Sequence, residues 1–288
     1  MTLPRLLRWE LFKLYRRPAS YVGFVLCLVF CVVVLIGFAV QDYKGRKMGG
    51  LGLDPSVYLN GPFFASFILQ IGFFAILPLV AATVAGSQLA TESKDGTLRA
   101  MLVRPPSRTA VYLAKALATL IWLQLMVWFL LALALLLGHV AYGGGSLLVF
   151  VWEFRKDGFW SVPPSTWWPM LLVASLGVTV ALALVASLAL CVSAMTDNPV
   201  VAHVGTLGGF FISSILQRLP DQILSDDFKQ ILPTSHMNFW HEAFRWFHPG
   251  GDRVDYDRLA RDVGWSVGLT VLFLAIGLIT FRRRDLTS

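Results

Sequence analysis

Residues 20–40 read SYVGFVLCLVFCVVVLIGFAV, an apolar run without a single charge. About twenty such residues are what an α-helix needs to cross a hydrocarbon core of about 30 Å. Working outward, five further runs follow at about 63–85, 110–138, 169–194, 199–217 and 263–281. The one at 110–138 is longer than a bilayer requires and is expected to project past it at its start. Backbone groups in lipid must be satisfied within the segment, so each run is expected to be helical. The two-residue alternation of a membrane β-barrel is absent. The fold class is therefore an all-α polytopic membrane protein with six transmembrane helices. Composition agrees: 56% of the 288 residues are apolar, 14% are charged and mean hydropathy is +0.66. Soluble domains carry about 25% charged residues, so a soluble enzyme is excluded.

Six spans put both termini on one side. With that side cytoplasmic, it holds 13 basic and 5 acidic residues, and the opposite side 11 and 12. The formal charge of +7 thus divides into +8 inside and −1 outside. Six of the outer basic residues lie in one long loop at 218–262, which the positive-inside rule discounts. Both termini are expected in the cytoplasm. The basic residues flank spans rather than forming a patch, so nucleic acid is not an expected partner. Cys27, Cys31 and Cys191 all fall inside apolar runs, which argues against a disulfide framework. The first residues, MTLPRLLRWELFKLYRRP, are broken by five basic residues and do not read as a signal peptide.

Residues 1–18 read as an interfacial helix, and 19–288 as the transmembrane domain. Leu3, Leu7, Leu11 and Leu14 form one helical stripe, with Arg5, Lys13 and Arg16 across from it. Glu10 falls within the leucine stripe, where it either pairs with a base on a neighbouring element or faces water. In the external loop, HMNFWHEAFRWFH (236–248) reads as an amphipathic helix at the membrane surface or a small cap packed on itself.

The segment 86–109 reads as a helix–break–helix hairpin on the cytoplasmic side. Gln88 to Asp95 continues the second span, and Gly96 can supply the positive φ that ends it. Thr97 can then cap a short helix, TLRAMLV, which Pro105 and Pro106 stop. Ser107 is placed to cap the third span. Leu98, Met101 and Leu102 give the short helix an apolar side suited to a groove on another protein. A long turn with capping residues is the plainer alternative.

These residues carry a family resemblance. Ala90-x-Glu92-x-x-x-Gly96-Thr97-Leu98-Arg99, then Arg104-Pro105-x-Ser107-Arg108 and Lys115, resembles the signature of ABC-2 type permeases, the membrane subunits of ATP-driven exporters. Within that family the chain is similar to the permease of the nitrous-oxide reductase maturation transporter. Pro106 departs from the pattern, where members often carry Val or Ile. The resemblance implies that the hairpin is a coupling helix docking on a separate cytosolic ABC ATPase. Glu92, Gly96 and Thr97 would shape it, and Arg99 and Arg108 would meet acidic groups of the ATPase. The turn Thr196-Asp197-Asn198-Pro199 would make a second, smaller contact through Asp197. It further implies a pair of permease copies, membrane-skirting helices before the last span and residence in a bacterial plasma membrane. ATP and magnesium would be held by the ATPase, with no cofactor in this chain.

The chain lacks G-x-x-x-x-G-K-[ST], so ATP hydrolysis is expected of a partner. No Asp, Glu, Lys or Arg lies deep within a span as bounded above, which disfavours an ion-coupled carrier. Gln70, Gln124 and His203 are the polar candidates for a translocation path, although such residues more often bond across helix interfaces. His236, His241 and His248 invite a metal, but the spacing from His241 to His248 covers about 10 Å of helix, too far for one ion. No metal site is expected. Two functions remain open: an exporter permease, and a transmission subunit whose external loop acts on an extracytoplasmic partner without moving cargo.

Overall fold

The computed structural model describes residues 2–43, 59–97, 107–149, 160–220, 222–248 and 254–284. The first helix, α1 (Leu3–Arg16), is followed after one residue by α2 (Pro18–Tyr43). Next come α3 (Gly61–Ala75), α4 (Leu77–Lys94) and the 35-residue α5 (Arg108–Tyr142). At 1.5 Å per residue α5 is about 50 Å long, so it overshoots a hydrocarbon core as its sequence suggests. A short antiparallel hairpin, β1 (Leu147–Val149) with β2 (Trp160–Val162), leads into α6 (Pro164–Met195) and α7 (Pro199–Gln217). Then follow α8 (Asp226–Ile231), two 3-10 turns (Pro233–His236 and Asn238–His241), α9 (Glu242–Trp246) and α10 (Tyr256–Arg283).

Five helices, α2, α5, α6, α7 and α10, are each long and apolar enough to cross a membrane, and α3 with α4 makes a sixth if the bent pair counts as one span. The bundle is all-α and polytopic. Helix α6 is its axis, packed on α4 and α10, and small residues such as Ala181, Ala186 and Ala189 line its buried surface. The outward valines and isoleucines of α2 and α7 remain exposed, as lipid-facing side chains do.

Three features differ from the sequence reading. The run at 63–85 is not one helix: α3 and α4 meet at 49° around Ile76. Pro78 has no N–H for the carbonyl of Phe74 and its ring crowds that carbonyl, so the helix breaks two residues before it. Residues 236–248 form no single amphipathic helix. They are two short turns and α9, and Met237, Phe239, Trp240, Ala243 and Phe244 are buried. Trp240 lies 5.4 Å from the Phe73 ring and over Gly177 of α6, so the aromatic face meets protein. Within α1 the buried face is Leu6, Glu10 and Leu14, while Leu3 is exposed and Leu7 and Leu11 lie at its edges.

The turns before α10 are tied to it. His236 Nδ1 lies 2.7 Å from an Asp262 carboxylate oxygen and Nε2 lies 2.7 Å from the Gln230 carbonyl. Ser266 donates to the His236 carbonyl at 2.8 Å. His248 sits against the Trp160 ring at 4.9 Å.

Candidate coupling site

Segment 98–106 connects the end of α4 to the start of α5. Gly96 adopts φ +69°, and the Thr97 hydroxyl donates to the Glu92 carbonyl at 3.2 Å, closing the last turn of α4. Ser107 accepts from the Ala110 amide at 3.2 Å and caps α5. Leu98, Arg99, Met101, Leu102 and Pro105 lie outside the described residues.

Glu92 is the centre of a four-charge cluster. Lys13 Nζ lies 2.6 Å from both Glu92 Oε1 and Glu10 Oε1, and Lys115 Nζ lies 2.8 Å from Glu92 Oε1 and 3.0 Å from Glu10 Oε2. The Lys115 side chain is fully buried and that of Glu10 nearly so. Two cations and two anions alternate, so each charge meets two of opposite sign in a low-dielectric site. Burial lowers the Lys13 pKa, but the carboxylates of Glu92 and Glu10 outweigh it and hold the ammonium above its ordinary value. The cluster joins α1, α4 and α5. It explains Glu10: the apolar face of α1 carries a carboxylate because an ammonium waits beneath it.

The same stretch of α4 is held from its other side. Ser193, near the end of α6, donates to the Gly86 carbonyl at 2.7 Å and accepts from the amides of Leu89 at 3.1 Å and Ala90 at 2.9 Å. A hydroxyl is thereby inserted beside the backbone ladder of α4. One turn on, Ser93 donates to Asp197, which also pairs with Arg284 at the end of α10. The Ser93 hydrogen bond and the Arg284 guanidinium hold the Asp197 carboxyl below the usual aspartate range, against a smaller burial effect that raises it. Asn198 accepts from the Val200 amide at 3.0 Å and caps α7. Arg108 donates to the carbonyls of Phe281, Arg282 and Arg284 at 3.3, 2.8 and 2.7 Å, neutralising the carbonyl end of α10. Its guanidinium thus has partners within the chain. Beside the cluster, a groove of about 540 Å³ is lined by Trp9, Phe12, Arg16, Glu92, Asp95 and Thr97.

Gln70, Gln124 and His203 are not brought together. Gly72 of α3 faces Leu130 of α5, which sets Gln70 roughly two turns from the level of Gln124. His203 lies against Gly86, close to the hairpin end. Gln70 donates to Ser66 over 3.4 Å, whereas Gln124 Nε2 and His203 Nε2 are buried without a hydrogen-bond partner among the described residues.

The residues that sequence reasoning did not assign to this site are Lys13, Lys115, Ser193 and Arg284. Lys115 carried a usable signal: a lysine inside the apolar run TAVYLAKALATLIW requires an anion nearby. Ser193 carried none, since one serine among several in α6 cannot be told apart by pattern.

No curated protein matches this chain in sequence. The profile of the family described as ABC-2 family transporter protein matches residues 6–213, which include most of α1, the bent pair, the full four-charge cluster and Asp197. The chain belongs to the ABC-2 family of transporter membrane proteins.

Proposed function

We propose that the chain is the permease of an ATP-driven exporter and that segment 96–107 docks on a separate cytosolic ATPase, which holds the ATP and magnesium. The observation that carries this reading is the grip on α4. The last two turns before the hairpin are bound by Lys13, Lys115, Ser193 and, through Asp197, Arg284. A push at the hairpin reaches α1, α5, α6 and α10 together rather than dissipating in one loop. Two copies form the working unit, with both termini in the cytoplasm of a bacterial cell. Cargo enters from the cytoplasm or inner leaflet, with Gln124 Nε2 and His203 Nε2, which have no hydrogen-bond partner among the described residues, along its way.

The test is reconstitution with the ATPase. Glu92→Gln is expected to leave the complex intact on size exclusion while ATP-dependent turnover falls about tenfold, a change of about 1.4 kcal/mol in barrier. Unchanged turnover, or a purified chain that never binds an ATPase, overturns the reading. The transmission alternative draws on the exposed Ile223, Phe228, Ile231 and Trp246 at the opposite end, a surface that an extracytoplasmic partner would cover. ATPase activity stimulated by cargo in vesicles without such a partner argues against it.

A further inference from the structure

Among the described residues, five basic side chains at this end are buried or half-buried: Lys13, Arg17, Arg108, Lys115 and Arg284. Lys13 and Lys115 share two carboxylates, Arg284 has Asp197, and Arg108 has three carbonyls. Arg17 differs from the rest. Among the described residues its guanidinium makes one hydrogen bond, to the Ser87 hydroxyl at 3.3 Å, and no ion pair. A guanidinium has five donors in a planar fork, so most of this group's capacity is unmet. Its backbone is fixed in an extended conformation, φ −88° and ψ 117°, as a residue before proline prefers, so the side chain is presented from a set elbow between α1 and α2.

Arg17 stands at the mouth of a groove of about 380 Å³ between α2, α4 and α7. The mouth is polar, with Ser87 on the guanidinium and Ser20 donating its amide to the Arg17 carbonyl at 3.0 Å. The trough beyond it is mostly apolar, formed by Val22, Gly23 and Leu26 of α2 and Leu79 and Val84 of α4, with Thr83 and His203 as its polar members. Leu26 lies about 9 Å farther along α2 than Ser20. The groove therefore has a cationic head and an apolar tail, in that order, going from the interfacial helix into the first span. That order and depth match a membrane lipid, with its phosphate at the headgroup level and its chains below.

We infer that this groove binds one anionic phospholipid of the surrounding leaflet, its phosphate oxygens taking the fork of Arg17 and its first chain carbons lying over Leu26 and Leu79. A planar fork suits phosphate geometry. The lipid supplies the anion that no described residue pairs with Arg17, and it joins the α1–α2 elbow to α4 and α7. The inference needs no ATPase and stands apart from the coupling reading.

The experiment uses the full chain in a neutral detergent, titrated with phosphatidylglycerol or phosphatidylcholine and read by native mass spectrometry. One phosphatidylglycerol per chain is expected to be retained in preference to phosphatidylcholine. Arg17→Gln is expected to weaken that adduct about tenfold, the size of one lost charge-assisted contact. Arg16→Gln, at the exposed neighbouring position, is expected to leave it unchanged. Leu79→Trp, which fills the trough and keeps the charge, is expected to weaken it too. Equal binding of the two lipids, equal loss in the Arg16 and Arg17 variants, or a dimer that excludes lipid from the groove would each overturn the inference.

Discussion

Lys115 is the residue on which the hairpin end most depends. It is fully buried, and both of its carboxylate partners come from distant parts of the chain, Glu10 in α1 and Glu92 at the end of α4. Removing one member of a buried ion pair strands the others, at a cost of about 3–5 kcal/mol. Lys115→Met is therefore expected to destabilise the protein by about that amount in denaturant titrations in mixed micelles. The double variant with Glu10→Gln is expected to lose less than the sum, because the second change relieves a carboxylate already left unpaired. Asp197 is the contrasting case, since its side chain is mostly exposed and its pairing with Arg284 is screened. Its folded pKa is depressed, so its contribution is present above the ordinary aspartate range and disappears as pH falls through the lowered value. The melting difference between the parent and Asp197→Asn is expected to be small, constant above about pH 5, and to shrink steadily as the pH falls below the ordinary aspartate range. High salt is expected to shrink it at neutral pH. A sequence marks Lys115 and Glu10 as charges out of place; it does not pair residues that lie more than a hundred positions apart.

At the scale of elements, the bend between α3 and α4 is the one departure from straight spans that bears on coupling. Pro78 causes it, so Pro78→Ala restores an N–H facing the Phe74 carbonyl, a bond worth about 1 kcal/mol net. Helices of 15 and 18 residues meeting at 49° are shorter end to end than a straight rod of the same length. Spin labels at Leu59 and Lys94 are accordingly expected to move apart by about 4 Å in the Pro78→Ala protein. An unchanged distance would mean that packing on α5 and α6, not the proline, sets the bend. The proline was visible in the sequence, but hydropathy passes over it because Pro78 interrupts neither the apolar run nor its length. The caps at Ser107 and Gly96 were legible because capping is local chemistry between residues a few positions apart. The fate of 236–248 was not, since an aromatic face spaced for a helix reads the same whether it meets lipid or the flank of α6. Trp240 settles there because Gly177 leaves the space.

For the molecule as a whole, the four-charge cluster constrains topology more tightly than hydropathy or the charge count. Lys13 of α1 touches Glu92 at the end of α4, so those two points lie on one side of the membrane. Between them the chain crosses once in α2, and it must cross back before reaching Glu92. On the proposed topology the bent pair α3–α4 completes a crossing rather than returning to the face it entered, which makes six spans. Arg108 bonded to the end of α10, and Arg284 bonded to Asp197, bring the last helix to the same end. The proposed topology, which rests on the positive-inside count, makes that end the cytoplasmic one. Reporter fusions test both steps. A fluorescent protein that folds only in the cytoplasm is expected to be bright after Gly96 and after Arg284. A phosphatase active only outside is expected to work after Gly144 and after His248. Phosphatase activity after Gly96 with a cytoplasmic N-terminus would require Lys13 and Glu92 to sit on opposite faces of the bilayer. Their ammonium and carboxylate are 2.6 Å apart, so that result would refute the arrangement of the whole bundle and not only of the hairpin.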